Sequence, residues 1–380
     1  MEKIKVLSVF GTRPEAIKMC PLVLALQEHP DFESVVCVTA QHREMLDSVL
    51  SCFGVKPDYD LNIMEEGQTL PDITCKIISF MGVILRDCRP DVVLVHGDTT
   101  TTFASALAAF YEKIPVGHVE AGLRTYDRYS PYPEEMNRCM VGRLAQFHFA
   151  PTAQNRANLA AEGIGQEVYV TGNTVIDAMK YTVNDAPFTE QLLNALDYSR
   201  RIITLTCHRR ENYGEPMENI FSAVADIARA FPDTLTIFPV HLSPVVRETA
   251  HRFLDSVGNV LLIEPLDAMD MHKLISRSYM VMTDSGGIQE EAPAQGKPVL
   301  VLRRETERPE AVAAGTVALA GVERENIVRM ATELLTDRAK YEGMARAVNP
   351  YGDGEACRRI CQALLCCFGH SEDRPEDFKP

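Results

Sequence analysis

Short apolar runs alternate with amphipathic stretches of helical length along almost the whole chain. In the first half, the runs that predict strands are IKVLSVF ending at Phe10, VVCVTA from Val35, VVLVHG from Val92, PVGHVEA from Pro115, FHFAP from Phe147 and EVYVTG from Glu167. In the second half they are RIITLT from Arg201, LTIFPVH from Leu235, NVLLIE from Asn259, YMVMTDSGG from Tyr279 and PVLVLR from Pro298. This alternation is typical of parallel sheets covered by helices on both faces, so it predicts an α/β fold with two doubly wound domains.

The boundary between the two predicted domains precedes a polar segment, residues 184–200, whose hydrophobic periodicity is the weakest in the central part of the chain. We place the hinge near Thr171, so that the domains comprise residues 1–170 and 171–354. Residues 369–380 are charged and contain prolines, which predicts a frayed tail. Two doubly wound domains would leave a cleft between the carboxyl ends of their strands, where such sheets bind ligands.

Composition and charge narrow the possible partners. Of the 380 residues, 46% are hydrophobic and 24% are charged, as in ordinary soluble proteins. No apolar run approaches the roughly 20 residues that span a bilayer, and the first residues lack the features of a signal peptide, so we expect a cytoplasmic protein with no membrane partner. The formal net charge of −15 repels a polyphosphate, which makes nucleic acid an unexpected partner, although a few local cations suffice to bind a small anion.

The cysteines have two possible roles, metal binding and packing in the core. The chain has 11 of them, an odd number with no CxxC pair, and reduced thiols are expected in the cytoplasm. Cys357 and Cys361 have helical i, i+4 spacing and are followed by Cys366, Cys367 and His370, so a zinc site is conceivable. Because no facing pair of ligands is evident, we predict a packed helical stripe and assign no metal.

The first strand-to-helix junction, FGTRPEAIKM, has the features of an anion-binding turn. A glycine ends the strand, Thr12 can cap the helix and Pro14 suits its first turn. Arg13 and Lys18 bring two cations to this junction. The alternative is a capped helix whose cations point into water.

The segment DSGGIQEEAP, which follows the strand from Tyr279, has the features of a phosphate-binding turn. Ser285, Gly286 and Gly287 would let backbone N–H groups approach a phosphate closely. Glu291 lies about one turn further on, where it can reach a ribose diol, and Arg308 can clamp the same phosphates. The alternative is an ordinary glycine-rich turn between a strand and a helix.

Four candidate acids and bases follow strands or lie in the adjoining loops: Asp98, Glu120, Glu134 and His208. An α/β enzyme places its titratable side chains at the carboxyl ends of strands, so their shared topology favours catalysis. Each residue also has a structural interpretation. Asp98 can simply cap the next helix, Glu134 can complement a helix N-terminus, and His208 can be a structural histidine.

Taken together, six segments resemble those of one family, the non-hydrolysing UDP-N-acetylglucosamine 2-epimerases. The segments, in the family's order and spacing, are FGTRPEAIKM, HGDTTTT, GHVEAGLRT, YPEEMNR, TCHRREN and DSGGIQEEAP. The likeness extends from Lys5 to about Leu365. It implies two Rossmann-like domains in a glycosyltransferase-B arrangement with an interdomain cleft, and a last helix, about residues 355–368, that packs back on the N-terminal domain.

The resemblance implies reversible C2 epimerisation of UDP-N-acetylglucosamine to UDP-N-acetylmannosamine, for bacterial surface polysaccharide, without NAD, a metal or another cofactor. UDP is eliminated to give 2-acetamidoglucal and is added back with C2 inverted. Asp98, Glu120 and Glu134 match the family's acid and base positions, and His208 matches its active-site histidine. The match does not assign individual steps to individual carboxylates.

The same resemblance implies a set of substrate-binding residues. Those expected to hold the diphosphate are Arg13, Ser285, Gly286, Gly287 and Arg308; Glu291 is expected to bind the ribose, and Lys18 and Arg138 to line the sugar pocket.

Bacterial members of the family share a second UDP-N-acetylglucosamine site that activates the enzyme, and they are homodimers. Gln41, Glu134 and His241 match positions associated with that second site. Glu44 and Gly67 stand where the family pattern has glutamine and arginine. The missing arginine removes a strong phosphate ligand, which weakens the case for activation by substrate.

Three other functions are compatible with the same phosphate site. A hydrolysing epimerase would release N-acetylmannosamine and UDP, and a glycosyltransferase of the same fold would need an acceptor groove. A non-catalytic nucleotide-sugar sensor would not need the four acid and base candidates together. That set therefore favours an enzyme.

Overall fold

The computed structural model describes residues 2–40, 43–65 and 67–380, without the side chains of residues 43–45. The described chain divides into two units. Unit 1 contains the residues up to Tyr181 together with Tyr351–Lys379, and unit 2 contains Thr182–Pro350.

Unit 1 is built on one parallel sheet. Its strands are β1 (Ile4–Phe10), β2 (Phe32–Val38), β3 (Tyr59–Asp60), β4 (Val92–His96), β5 (Val116–Val119), β6 (Phe147–Ala150) and β7 (Val168–Val170). They pair in the order β3-β2-β1-β4-β5-β6-β7, and neighbouring strands are parallel. The direction of winding reverses between β1 and β4, so the carboxyl ends of these strands form the switch point.

Unit 2 repeats this plan with a second parallel sheet. Its strands are β8 (Arg201–Thr206), β9 (Thr234–Pro239), β10 (Val260–Ile263), β11 (Met280–Thr283), β12 (Val299–Val301) and β13 (Val317–Leu319). They pair in the order β10-β9-β8-β11-β12-β13, again in parallel. The switch point here lies between β8 and β11.

Helices connect the strands in both units. The helices of unit 1 are α1 (Arg13–Glu28), α2 (Arg43–Phe53), α3 (Leu70–Cys88), α4 (Thr100–Tyr111), α5 (Glu134–Leu144), α6 (Ala153–Ala161) and α7 (Thr174–Thr182). Those of unit 2 are α8 (Gln191–Asn194), α9 (Glu215–Ala230), α10 (Pro244–Leu254), α11 (Ala268–Arg277), α12 (Ile288–Ala294), α13 (Pro309–Ala314), α14 (Arg324–Thr336) and α15 (Arg338–Ala345). The chain then returns to unit 1 through α16 (Ala356–Cys367), which packs against α1.

The central strands are buried on both faces, which explains why they read as continuous apolar runs. Every residue of β4, for example, is buried. The predicted α/β fold with two doubly wound, Rossmann-like domains is confirmed, and each of the eleven predicted runs contains a strand. The sequence analysis does not predict the edge strands β3 and β13. The two residues of β3 are too few to show a period, whereas β13 is as long as β7 and β12, which are predicted, so length does not explain why it is missed.

The division between the units falls after Tyr181 rather than at Thr171. Helix α7 stays with unit 1 because the buried Asp177 carboxylate accepts hydrogen bonds from the backbone N–H groups of Ala356 (3.1 Å) and Cys357 (2.9 Å). These bonds tie α7 to the first turn of α16. The connection is tertiary, so hydrophobic periodicity could not show it.

The C-terminal tail is ordered against β7, so the prediction that it frays is wrong. Phe378 N donates to Val170 O at 2.7 Å, and the Asp377 carboxylate accepts from Val170 N at 3.1 Å. The Arg374 guanidinium lies 4.4 Å from the centre of the Tyr169 ring, and the Phe378 side chain is buried. The tail thereby covers the otherwise open edge of the sheet, which its charged composition does not reveal.

We find no helix among the described residues that is long and apolar enough to cross a membrane.

Candidate active site

The switch points place the candidate residues in two clusters, one in each unit. The unit 1 cluster lies at the ends of β1, β4 and β5 and in the helices that follow, and it consists of Arg13, Lys18, His96, Asp98, Glu120 and Arg138. The unit 2 cluster lies at the ends of β8 and β11 and consists of His208, Arg209, Asp284, Ser285, Gly286 and Gly287, with Arg308 from the segment before α13. Parallel strands end at one edge of a sheet, so residues distant in sequence meet there.

The turn that carries Arg13 is shaped by a reciprocal cap at the start of α1. The Thr12 hydroxyl accepts a hydrogen bond from Glu15 N, and the Glu15 carboxylate accepts from Thr12 N at 2.8 Å and Gly11 N at 3.0 Å. Pro14 occupies the first turn, so the predicted cap and first turn are confirmed. A β-carbon at Gly11 would clash with the hydroxyls of Thr39 and Thr101, so this position requires glycine.

Glu15 also ties this turn to the one that follows Asp98. Its second carboxylate oxygen accepts hydrogen bonds from the hydroxyls of Thr99 (2.7 Å) and Thr102 (3.2 Å). Thr99, not Asp98, caps α4, because its hydroxyl accepts from Thr102 N. The structural interpretation of Asp98 as a helix cap is therefore wrong, and its side chain is available for other contacts.

The carboxylate of Glu120, directly after β5, contacts polar side chains from other elements of unit 1. Its carboxylate forms an ion pair with Lys18 and accepts a hydrogen bond from Nδ2 of Asn173 at 3.1 Å. Nε2 of the buried His96 lies 3.8 Å from the other carboxylate oxygen. Burial lowers the pKa of His96 to about 4, despite the negative charge of Glu120, so this imidazole is neutral near neutral pH.

The backbone at this edge of the sheet adopts unusual conformations. Glu120 has a φ of +62°, in the left-handed region that residues other than glycine seldom occupy. Gly97 has a φ of +65°, and a β-carbon there would lie 3.4 Å from Oε2 of Glu120. The carbonyl of Gly97 is 2.7 Å from Nε2 of the buried His118. Strained conformations of this kind cluster at functional sites.

Asp98 is held by α5. Nη2 of Arg138 lies 2.6 Å from its carboxylate, and Nδ2 of Asn137 donates to its backbone carbonyl at 2.9 Å. Arg138 is itself held by the buried Glu135, 3.4 Å from Nη1. Burial raises the pKa of Asp98 to about 6. The positive charge of Arg138 opposes this rise, and the negative charge of Glu120 adds to it. A carboxyl group that titrates near neutral pH is suited to proton transfer.

Glu134 lies in the first turn of α5 and is partly exposed. Its negative charge contributes to the raised pKa of Asp98, as does that of Glu120. The three carboxylates that the sequence singles out thus lie after β4, after β5 and at the start of α5 of unit 1.

In unit 2 the turn after β11 is fixed by Thr283, whose hydroxyl accepts a hydrogen bond from Ser285 N at 2.9 Å. A β-carbon added to Gly286 would lie 3.7 Å from guanidinium nitrogens of both Arg209 and Arg308. Two guanidinium groups thus flank a glycine whose backbone is open to close approach. This is a suitable environment for a diphosphate.

Arg308 is oriented by the segment that it faces. Its Nε lies 2.5 Å from a carboxylate oxygen of Glu290, a buried residue of α12, and its backbone N donates to the Thr306 hydroxyl at 3.1 Å. The contact with Glu290 holds the guanidinium beside the turn.

His208, after β8, faces a fully buried carboxylate. Its Nδ1 lies 3.2 Å from Oδ1 of Asp284, whose other oxygen accepts hydrogen bonds from the backbone N–H groups of His208 and Arg209, both at 2.8 Å. Burial alone would raise the pKa of Asp284, but His208 and these backbone bonds hold it below its usual value. The His208 ring stacks on His241 with the ring centroids 5.5 Å apart.

Glu291 contacts a buried histidine of α11. Nε2 of His272 lies 3.4 Å from Oε2 of Glu291, and Nδ1 of His272 lies 2.9 Å from the Thr182 hydroxyl. Glu291 is therefore oriented from behind by a side chain that the sequence does not single out.

Among the predicted residues of the second ligand site, Gln41 lies outside the described residues, as does the Glu44 side chain. Gly67 is exposed with a φ of +78°. His241 is a neighbour of His208, and its pKa is lowered by partial burial and by the charge of His208.

Five contributors to these sites are not among the predicted site residues: His96, Asn173, Arg209, His272 and Asp284, although His96, Arg209 and Asp284 stand within the segments HGDTTTT, TCHRREN and DSGGIQEEAP. His96, Arg209 and Asp284 lie within two positions of predicted residues, so the rule that functional side chains gather at strand ends could have found them. Asn173 and His272 lie in segments without a recognisable motif, and only the folded chain brings them to Glu120 and Glu291.

No group of three or more histidine, cysteine or acidic side chains among the described residues is arranged to hold a metal ion. Cys357 and Cys361 are buried free thiols on α16. Burial raises the pKa of the Cys361 thiol to about 12, so it is an unreactive packing residue.

Comparisons with known proteins show which family this chain is similar to. A family model described as UDP-N-acetylglucosamine 2-epimerase matches residues 24–365. The UDP-N-acetylglucosamine 2-epimerase of Bacillus subtilis is 55% identical over 379 residues, which cover 100% of this chain and 99% of that protein. The similarity therefore includes both units.

Two solved structures extend the comparison to ligand complexes. The UDP-GlcNAc 2-epimerase from Neisseria meningitidis bound to UDP-GlcNAc has 53% identity and a TM-score of 0.85, covering 95% of this chain and 100% of that chain. The Methanocaldococcus jannaschii UDP-GlcNAc 2-epimerase in complex with UDP-GlcNAc and UDP has 32% identity and a TM-score of 0.74, covering 95% and 99%. These findings confirm the resemblance carried by the six sequence segments.

Proposed function

The chain belongs to the UDP-N-acetylglucosamine 2-epimerase family, and we propose that it interconverts UDP-N-acetylglucosamine and UDP-N-acetylmannosamine without net hydrolysis. The proposed route eliminates UDP to form 2-acetamidoglucal and then adds UDP back with C2 inverted. The two ligands named in the related complexes, UDP-GlcNAc and UDP, are the substrate and the leaving group of this route.

The chemistry explains why carboxylates are needed. C2 bears an acetamido group and has no adjacent carbonyl, so its proton cannot be removed by simple enolisation. In the elimination, the C2–H and C1–O bonds break, the C1–C2 double bond forms, and UDP departs with the C1–O electron pair. A base must accept the C2 proton, and for inversion an acid must return a proton to the opposite face.

The unit 1 cluster supplies the proposed acid and base. Asp98 and Glu120 lie close enough to influence each other electrostatically, and each is paired with a cation, Arg138 and Lys18 respectively. The pairing keeps each carboxylate in a defined position, and Asp98 titrates near the pH at which the enzyme would work. We assign the two proton transfers to this pair, with Glu134 as the third carboxylate of the site.

The unit 2 cluster is the proposed diphosphate site. The backbone at Ser285, Gly286 and Gly287 and the guanidinium group of Arg308 would bind the departing UDP, and Glu291 would bind its ribose. Holding UDP near the glycal favours its return over its escape, which is what distinguishes epimerisation from hydrolysis. We expect Arg13 to contribute to the same diphosphate site.

The observation that carries the proposal is the pair formed by Asp98 and Glu120, each with its own cation, at the switch point of unit 1. A nucleotide-sugar sensor would have no use for a partly buried carboxyl group whose pKa is raised to about 6.

A proton NMR time course in heavy water tests this proposal, with purified protein, UDP-N-acetylglucosamine and no added cofactor. UDP-N-acetylmannosamine carrying deuterium at C2, with little free UDP, is the expected product. Free N-acetylmannosamine and UDP would instead identify a hydrolysing enzyme. Unchanged, undeuterated substrate would contradict epimerisation altogether.

A further inference from the structure

Asp284 has an unusual position for a carboxylate. It ends β11, its side chain is fully buried (0% exposed), and it lies directly before the glycine turn of the proposed diphosphate site. Its Oδ2 accepts three hydrogen bonds, from His208 N and Arg209 N at 2.8 Å and from Nδ2 of Asn212 at 3.1 Å. One carboxylate oxygen therefore fixes the backbone of the segment that carries His208.

The Asp284 carboxylate also contacts the thiol of Cys207, a weak donor, and the second oxygen, Oδ1, lies near the ring of His208. It is buried, and no described group donates a conventional hydrogen bond to it. Nδ1 of His208 lies 3.2 Å away. A buried carboxylate oxygen without a donor is costly, so the proton of the imidazole belongs on Nδ1, where it faces this oxygen.

The rest of the ring is constrained as well. Its face stacks on His241 with an angle of 18° between the ring planes, and 37% of the His208 side chain is exposed. With Nδ1 turned to Asp284, the other nitrogen, Nε2, is the one left for a ligand. The backbone bonds to Oδ2 fix the main chain from which this ring extends.

We propose that Asp284 is a positioning residue that keeps the proton of His208 on Nδ1 and thereby presents an unprotonated Nε2 to the substrate. Nε2 then accepts a hydrogen bond from the bound substrate and takes no proton, because the two C2 proton transfers are assigned to Asp98 and Glu120 and UDP departs with the C1–O electron pair. The kinetic part of this inference rests on the proposed function, whereas the tautomer of His208 does not depend on it.

Asp284→Asn separates these effects with minimal change in shape. The asparagine oxygen can replace Oδ2 and accept the two backbone N–H groups. Its NH2 group then faces Nδ1 of His208, which must accept, and the ring proton moves to Nε2. The variant therefore keeps the fold and presents a protonated nitrogen to the substrate.

The first measurement is the tautomer itself. Two-bond proton–nitrogen correlation spectra of protein labelled with 15N-histidine are recorded at a pH above the range in which histidines titrate. The His208 signal is identified by its absence from His208→Gln. We expect a protonated Nδ1 in the wild type and a protonated Nε2 in Asp284→Asn. A wild-type His208 protonated on Nε2 overturns the proposal even if Asp284→Asn fails to fold.

The second measurement is kcat. We expect Asp284→Asn to lower kcat by about 100-fold or more, and the double variant with His208→Gln to be no slower than His208→Gln alone. Asp270→Asn is the control, because Asp270 is a buried carboxylate of unit 2 that accepts backbone N–H groups of Thr189 and Glu190 and pairs with Lys273. It should lower stability and leave kcat within about threefold of the wild type.

Two kinetic results would overturn the proposal. One is an Asp284→Asn enzyme with nearly normal kcat, and the other is an Asp270→Asn enzyme that loses as much kcat as Asp284→Asn, since the loss would then reflect any missing buried carboxylate. If the wild type does not interconvert the two nucleotide sugars, the proposed function fails, and the two tautomer spectra still decide whether Asp284 controls His208.

Discussion

The two sheets of this protein are wound in nearly the same strand order, yet their switch points carry different chemistry. In unit 1 the strand ends present carboxylates, and the cations Lys18 and Arg138 are bound to them. In unit 2 the strand ends present a glycine turn flanked by guanidinium groups, and the carboxylate of Asp284 is buried beneath it. The shared fold determines where a site forms, whereas the side chains at the strand ends determine what it binds.

The comparison extends to the glycines of the two turns. At Gly11 a β-carbon would collide with the hydroxyls of Thr39 and Thr101, so glycine is needed for packing within unit 1. At Gly286 the nearest atoms are guanidinium groups at 3.7 Å, an ordinary contact distance. Glycine is therefore unnecessary there for folding, which leaves ligand approach as the reason for it.

The largest effect is expected from the unit 1 carboxylates. Glu120→Gln and Asp98→Asn should each lower kcat by about 100-fold or more, because each removes a proton acceptor or donor. UDP affinity, measured by titration calorimetry, should change little if unit 2 provides the diphosphate site. Glu33→Gln is the control, since Glu33 pairs with Lys5 near the amino end of the same sheet. Normal kcat in both carboxylate variants would contradict the assignment of the proton transfers to unit 1.

A smaller effect, on UDP binding rather than on kcat, is expected in unit 2. Arg308→Ala should weaken UDP binding by about 10- to 100-fold, the usual range for loss of charge-assisted hydrogen bonds. Arg304→Ala is the control. Arg304 belongs to the same segment, its side chain is 69% exposed, and the variant should bind UDP normally. Equal UDP affinity in the wild type and Arg308→Ala would show that the diphosphate is held elsewhere.

The units should also differ in their response to acid. Burial lowers the pKa of His148 on β6 to about 4, and the same cause acts on His96 and His118 in the neighbouring strands. The unfolded chain, with histidine pKa values of about 6.5, binds protons first. These neutral imidazoles therefore make their full contribution to the free energy of unfolding above about pH 6.5. That contribution is lost as the pH falls toward 4. Asp98 has the opposite effect, because its pKa is raised: its protonation favours the folded state as the pH falls below about 6.

His148→Gln measures this contribution away from the proposed active site. Between about pH 8 and about pH 5, the free energy of unfolding should fall by about 2 kcal/mol less in this variant than in the wild type. Hydrogen exchange should show acid opening of β6 before that of β8 in the wild type. His251→Gln, which replaces an exposed histidine of unit 2, is the control for the substitution itself. Equal acid sensitivity of His148→Gln and the wild type would contradict the account.

The smallest effects are expected from the two glycines. Gly11→Ala should lower the free energy of unfolding by about 1 to 2 kcal/mol through overpacking. Gly286→Ala should leave Tm nearly unchanged and weaken UDP binding by about 10-fold, because a methyl group would stand where a phosphate approaches. Thermal unfolding and UDP titration of both variants check this contrast. A lowered Tm in Gly286→Ala with normal UDP affinity would reverse the interpretation of that turn.

Much of the fold could be read from the sequence because buried parallel strands are continuous apolar runs. The exceptions have physical reasons. Edge strand β3 has only two residues, too few to show a period. The boundary after Tyr181 depends on hydrogen bonds that the backbone N–H groups of Ala356 and Cys357 donate to Asp177, and the tail docks through Phe378 and Asp377 on an open strand edge.

By itself, the sequence determined which residues end each strand, and therefore which side chains can reach the two switch points. Asp98, Glu120, His208 and the Ser285–Gly287 turn were identifiable in this way because the carboxyl ends of parallel strands share an edge. Only the tertiary structure decided the partners of these side chains: His96 and Asn173 at Glu120, Arg209 at Gly286, and Asp284 beneath His208. Pairings across tens of residues leave no periodic trace in the chain, because they depend on how separate strands and helices are brought side by side.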